Sequence, residues 1–449
     1  MKYPRYPAYK DSGIEWIGEI PEHWNVNRLK TVSKIQFSNV DKHTYDDEIP
    51  VLLANYTDVY KNRFITNEME FMEATASPNE IKKFKLEAGD VLITKDSETP
   101  DDIAIPALVK STLPNLLCGY HLAMLRPNRI LDSNYLFYLY SDKKFRGKYE
   151  REANGITRFG LSTESFNDTY ICTPEKLEQA AIASFLVEQT SKIDSLISKQ
   201  QQLTELLKEK RQAIITHAVT KGLDPNVPMK DSGIEWIGEI PEHWDLKRVK
   251  SLFKERDERT ENGEEELFSL SKERGLISRV SITDKEARAD TLVGYKKFYP
   301  KDIVMNKMQA WNGVFGHSRN STGIVSPEYT ILSRIRHLNT GYFAHLFRTD
   351  LYASIFATYA RGMGTAFLRL NFTEFGGIYV PVPPDHEQDK IMDYLNRQNG
   401  TIDLLITKQE QMIKLLEEHK SSLVSNAVTG KIDVRNLVQV VTESAGQTP

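Results

Sequence analysis

Two cysteines, Cys118 and Cys172, are all that 449 residues contain. One pair cannot build a disulfide framework or a cysteine-rich metal site, and it suits a reducing compartment, so a cytoplasmic protein is expected. No apolar run approaches the roughly 20 residues that span a bilayer, and the first residues lack the apolar stretch of a signal peptide. The ten histidines show no metal-ligand spacing. No GxGxxG or Walker-type string is present to cradle a nucleotide. The Asn/Asp-Pro-Pro-Tyr/Phe string of amino-methyltransferases is missing too; Pro383-Pro384-Asp385 does not match it. Glu80-Ile81-Lys82 has the letters of many nuclease sites, but no second site supports it. Basic excess is also lacking. With a net charge of −4, a nucleic-acid reader would need its cations gathered on one face. These absences predict recognition without catalysis: no catalytic residue, no metal site, and no cofactor bound by this chain.

What is present is a repeat. Lys10 to Trp24, KDSGIEWIGEIPEHW, recurs letter for letter from Lys230 to Trp244. The stretch from Glu178 to Asp224 aligns without gaps on Glu387 to Asp433. Two tandem copies of one unit follow from this, with nearly everything between the anchors divergent. Within the motif, Ile14, Trp16, Ile17, Ile20 and Trp24 should form an apolar plug, broken by Gly13, Gly18 and Pro21. His23 and His243 should be packing or surface residues.

The aligned stretches read as helices of about 40 residues, roughly 60 Å each. Alternating steps of four and three place Ile182, Leu186, Ile193, Leu196, Leu203 and Leu207 on one seam. The second helix gives Ile391, Leu395, Ile402, Leu405, Met412 and Leu416. A 3.5-residue period predicts a coiled coil. Pseudo-twofold symmetry predicts antiparallel helices and a closed circuit, with Lys10–Trp24 packed on the C-terminal helix as Lys230–Trp244 follow the first.

Residues 25–173 and 245–382 are each the size of one domain. β-Branched runs at Asp90–Thr94 and Asp302–Met305 suggest mixed α/β domains with small sheets. Each has a Gly-Asp or Lys-Asp turn before that run and a later glycine loop, Ala153–Phe159 or Ala360–Phe367. A shared fold with different surfaces is expected. The first region is slightly acidic and the second basic. Candidate phosphate contacts are Lys143, Lys144, Arg146, Lys148, Arg151 and Arg158, interleaved with Phe145, Tyr149 and Phe159. In the second region they are Arg319, Arg334, Arg336, Arg348, Arg361 and Arg369. Asn306, Lys307, Gln309 and Trp311 lie in a loop after a strand, where amides and a lysine could read base edges. The competing reading of these clusters is charge on solvated faces, with Trp311 merely half-buried.

This pattern resembles the specificity (S) subunit of type I restriction–modification systems. The likeness rests on the alternating variable regions and helices, the repeated motif, the Pro-x-x-x-Glu-Gln helix starts at Pro174 and Pro383, and the run Asn306–Trp311. It covers residues 1–433. It implies a mixed α/β protein: a conserved segment (1–24), a first target recognition domain (25–173), a spacer helix (174–224), a linker with the repeated motif (225–244), a second recognition domain (245–382) and a second spacer helix (383–433). Residues 434–449 would be a disordered tail. Each recognition domain would read half of a bipartite, asymmetric double-stranded DNA site, with half-sites about one helical turn (~34–36 Å) apart. Two methyltransferase (M) subunits would supply S-adenosylmethionine chemistry on a flipped adenine, and restriction (R) subunits the ATP- and Mg-dependent steps. The alternatives are a coiled-coil scaffold whose variable domains bind proteins and an enzyme with an unrecognised site.

Overall fold

The computed structural model describes residues 3–14, 17–279, 292–362 and 368–437. Trp16 of the motif, residues 363–367 of the second glycine loop and residues 438–449 of the expected tail lie outside the described residues. The chain divides into two units. One holds residues 1–200 with 411–449, and the other holds 201–410. Each long helix therefore gives half its length to each unit. The helices span Lys176–Lys221 and Asp385–Val428.

The first unit has a five-stranded sheet. Its order is Ser33–Phe37, Leu122–Pro127, Val91–Thr94, Pro106–Val109 and Phe64–Ile65. All neighbours are antiparallel except the last pair. In the second unit the order is Phe253–Arg256, Tyr329–Arg334, Ile303–Asn306 and Phe315–His317, antiparallel throughout. Numbered by position in the chain, the four shared strands run first, fourth, second, third in both sheets. The variable regions thus share a topology although their sequences diverge, as expected. Both runs picked out by sequence, Val91–Thr94 and Ile303–Asn306, occupy interior positions, which accounts for their continuous apolar character.

The first residues of each variable domain pair with its last. Asn25–Arg28 lies antiparallel to Tyr170–Thr173, and Asp245–Arg248 to Tyr379–Val382. Each pairing delivers the chain into a long helix. Carboxylates in the first turn, Glu178 and Glu387, suit the positive end of the helix dipole. Gly222 (φ +81°) and Gly430 (φ +68°) follow the helix ends, where left-handed glycine closes the last turn.

Within each unit the helices run antiparallel. In the first, the Tyr135 hydroxyl donates to the Val428 and Cys172 carbonyls, while Lys420 pairs with Asp194. In the second, Tyr342 donates to Val219 and Pro381, and Arg211 pairs with Asp403. The seam corrects the sequence reading. Ile182, Leu186, Ile193, Ile391, Leu395 and Ile402 are buried, and Leu207 and Leu416 half-buried. Leu196, Leu203, Leu405 and Met412 are not; they are 37–47% exposed. Their neighbours Ile197, Thr204, Ile406 and Ile413 take the seam positions instead. From Ile193 to Leu207 and from Ile402 to Leu416 the inward stripe keeps alternating steps of four and three, shifted by one residue from the expected positions between them.

The closed circuit is realised in the first unit. Ile17, Ile20 and Trp24 share one apolar cluster with Leu423, Val424 and Val428, and Ile14 packs against it. Asp433 N–H donates to Pro4 O at 2.8 Å, and Tyr9 donates to Gly430 O at 3.0 Å. In the second unit Ile240 and Trp244 pack with Ile215 and Val219. The proposed tail begins late: Val434 is fully buried, and Arg435 pairs with Asp433 beneath the Tyr6 ring.

Candidate nucleic-acid interface

Each sheet carries one conspicuous strand end. Asp90 and Asp302 start the equivalent strands, buried, and accept from the Glu87 and Tyr299 amides. Arg126 grips Asp90 through two 2.7 Å bonds, and Arg256 reaches Asp302 at 3.3 Å. These aspartates are structural anchors. Five residues later the chain leaves the sheet at Lys95 and Lys307. There the Lys95 carbonyl accepts from Leu161 N–H and the Lys307 carbonyl from Leu370 N–H, both at 2.9 Å.

Those donors end two closed hairpins. Asn154 and Gly160 exchange backbone bonds of 3.1 and 2.9 Å, and Arg361 and Arg369 exchange bonds of 2.9 and 2.8 Å. Gly155 (φ +151°) and Gly362 (φ +159°) follow the first bridge residue in each. The same framework, a strand-end lysine beside a glycine hairpin, therefore presents different side chains in the two units. Lys95 was missed in the sequence analysis, although Asp-x-x-x-x-Lys occurs in both copies, as DVLITK and DIVMNK.

The candidate residues separate into groups. Arg158 lies on the first hairpin, its guanidinium 3.1 Å from His121 Nδ1, and His121 in turn pairs with Asp96 at 2.6 Å. Burial is the main cause that lowers the His121 pKa, with Asp96 opposing it. Arg361 and Arg369 belong to the second hairpin and pair with Glu374 and Glu328. Lys307 and exposed Gln309 adjoin it. Asn306 is engaged locally, accepting from Met308 N–H, and Trp311 donates to the Met308 carbonyl at 2.8 Å while packing on the core. Trp311 is a packing residue of the turn that ends at Gly313 (φ +74°).

A second group faces the long helices. Lys143 and Arg146 line a cleft of about 400 Å³ with Arg63, Asp194 and Lys420. Burial lowers the Arg146 pKa, and its Nε has no hydrogen-bond partner. Arg319 bonds Asn396 at 3.0 Å, and Arg348 donates to the Lys272 and Glu273 carbonyls. Lys144 and Arg151 are exposed on the helix Lys143–Glu152. Lys148 is consumed inside its domain by Glu152, Ser165 and Thr169. Phe145 and Tyr149 are buried, so they pack and do not stack on bases. Arg334 holds the Leu338 carbonyl, and Arg336 is exposed.

Among the described residues no cluster of His, Cys, Asp or Glu could hold a metal ion, and no helix is long and apolar enough to cross a membrane. Glu80 of the nuclease-like tripeptide caps a helix, closing a capping box with Ser77. Both cysteines are buried thiols.

The sequence profile of the type I restriction modification DNA specificity domain matches residues 21–206. The type I restriction enzyme MjaX specificity subunit of Methanocaldococcus jannaschii is 24% identical over 436 residues, covering 93% of this chain and 96% of its own. The EcoKI specificity subunit of Escherichia coli K12 is 24% identical over 210 residues, 45% of this chain and 44% of its own. A chain solved in work on complex assembly and conformational transition of a type I restriction–modification system superposes with a TM-score of 0.67 at 15% identity, covering 91% of this chain and 98% of that one. The HsdS subunit of Thermoanaerobacter tengcongensis gives 0.52 at 15% identity, over 92% and 98%. At such identity the structural likenesses carry the fold. In sequence and in fold the chain is similar to the specificity subunits of type I restriction–modification systems.

Proposed function

We propose that this chain reads a bipartite DNA site, one half through each variable domain, and has no catalytic activity of its own. The observation that carries this is the pair of equivalent strand-end faces. One topology places Lys95, Arg158 and His121 in the first unit where it places Lys307, Gln309, Arg361 and Arg369 in the second. Unlike readers on like frames suit an asymmetric site. Arginine, lysine and glutamine at these faces can bond base edges, while Lys143, Lys144 and Arg319 suit phosphates.

Methyltransferase and restriction subunits would supply the chemistry, binding S-adenosylmethionine, ATP and Mg, and the assembly would work in the cytoplasm. The corrected seam supplies candidate docking positions for the methyltransferase. Leu196, Met412 and Leu415 in the first unit and Leu203, Leu206, Leu404 and Leu405 in the second are 37–59% exposed on the long helices.

The test is expression with the partner methyltransferase, followed by sequencing of modified adenines. Lys307→Ala with Gln309→Ala should relax only one half of the methylated motif, and Arg158→Ala only the other. Changes in both halves from either variant would defeat the assignment of one half to each domain. Absence of any motif would defeat DNA reading itself.

A further inference from the structure

Ile156 stands at the tip of the first hairpin with 96% of its surface exposed. Its loop is held closed from below. Phe159–Gly160 pairs antiparallel with Asp96–Ser97, and the two Asn154–Gly160 bonds shut the hairpin. A Cβ on Gly155 would lie 1.9 Å from the Arg158 carbonyl oxygen. The tight turn that raises the isoleucine into solvent is therefore reserved for glycine. At that exposure the side chain packs against almost nothing among the described residues.

The surroundings narrow the occupant. A groove of about 490 Å³ beside the hairpin is lined by Tyr56, Tyr60, Glu98, Asp102, Thr157 and Arg158. Its two carboxylates, one of them bonded to the Tyr60 hydroxyl, outnumber the single Arg158 cation, so the groove disfavours the sugar–phosphate backbone. Base edges do fit, since their exocyclic amino groups donate to carboxylates. Arg158, exposed beside the tip, lines the same groove and can bond a base edge. An apolar tip beside one cation, above a floor that accepts hydrogen bonds, matches a duplex entered at its bases.

We propose that Ile156 is a wedge, which the first variable domain presses into one base step of its half-site, partly unstacking it. The proposal deepens the DNA-reading assignment and rests on it. Apolar wedges of this kind unstack a step at some energetic cost and are repaid by closer contact with the deformed duplex. They also make the flexibility of that step part of what is read.

The experiment uses the full chain assembled with its methyltransferase subunits and a duplex carrying the motif it methylates. 2-Aminopurine, whose emission rises on unstacking, replaces bases of the first half-site one at a time. Emission should rise at one step on binding. Ile156→Ala should abolish that rise and weaken specific binding about tenfold or more, while Ile156→Leu preserves both. Melting temperatures should not change, because the side chain is solvated. Binding by Ile156→Ala within twofold of wild type, with the same emission, overturns the wedge. So does a loss of affinity reproduced by exchanging one thymine for uracil without any emission change, since that identifies a methyl contact in an undistorted groove. Failure of the wild-type assembly to prefer its motif would instead remove the underlying DNA-reading assignment.

Discussion

Glu178, at the start of the first long helix, accepts the indole N–H of Trp24 at 3.0 Å across 154 positions of sequence. The same carboxylate takes the Tyr6 hydroxyl at 2.7 Å and pairs with His23 at 2.8 Å. Burial first, then the bond to Glu178, raises the Tyr6 pKa. The second copy is poorer. His243 reaches Glu387 at 2.7 Å, but the buried Trp244 indole N–H has no acceptor among the described residues. Identical fifteen-residue motifs should therefore respond differently to one substitution. Trp24→Phe strands part of Glu178 and should cost more stability than Trp244→Phe, which removes an unsatisfied donor. Glu178→Ala, orphaning two buried donors, should cost about 2–4 kcal/mol, and Glu387→Ala less. Urea denaturation of the four variants measures this; equal costs in the two copies would contradict it.

The seam gives a test between neighbouring residues. Ile197→Asp puts a charge on the inward stripe and should lower the denaturation midpoint strongly. Leu196→Asp, one position away and 45% exposed, should leave the free chain nearly as stable. Under the docking proposal it should weaken assembly with the methyltransferase subunits. A destabilising Leu196→Asp beside a neutral Ile197→Asp would restore the seam read from the sequence.

That seam also shows where sequence reasoning stopped. Repetition alone revealed two units, antiparallel helices and a closed circuit, because identical side chains must meet equivalent partners. The glutamine of each helix start illustrates this. Gln179 and Gln388 are fully buried and accept from the Asp132 and Asn339 amides at 2.8 Å. Choosing between Leu196 and Ile197, or Met412 and Ile413, was beyond the pattern, since adjacent apolar residues satisfy either order of the four- and three-residue steps. What decides is tertiary: Asp194 with Lys420, and Arg211 with Asp403, put charged pairs between the helices. The cation clusters were equally ambiguous. Lys148 and Arg158 look alike in sequence, yet one is spent on Glu152 and Thr169 and the other stands on an exposed hairpin.

The second unit should be acid-sensitive. Burial is the main cause that drives His317 and His345 down to about 4, with Arg319 adding repulsion at both and Arg348 at His345. Both rings are therefore neutral in the fold, whereas the unfolded chain protonates them near 6.5. The stability they contribute is present above about pH 6.5 and is lost as pH falls toward 4. Hydrogen exchange in the helix Thr340–Phe347, corrected for intrinsic rates, should quicken between pH 7.5 and 5. His345→Phe should blunt the effect. Unchanged protection across that interval would show that these rings do not control the unit.

Joining the existing ends and opening the chain elsewhere should preserve the molecule. Lys431 bonds the Glu19 carbonyl at 2.6 Å, as Lys221 bonds that of Glu239. The lysine and glycine of the two helix ends are exchanged in sequence, Lys221-Gly222 against Gly430-Lys431, yet both lysines find the equivalent acceptor. Contact with the motif thus persists whether or not the chain is continuous there. The equivalent covalent joint, residues 223–228 between the first helix and the second motif, is mostly exposed, and opening a surface connection costs little. A permutant that begins near Val227 and links Leu437 to Tyr3 through a short flexible segment should fold and keep the methylated motif of the parent. Its urea midpoint should lie close to the parent's. A chain that folds only with the 223–228 joint intact would show that covalent continuity, and not side-chain complementarity, seats the motif on its helix.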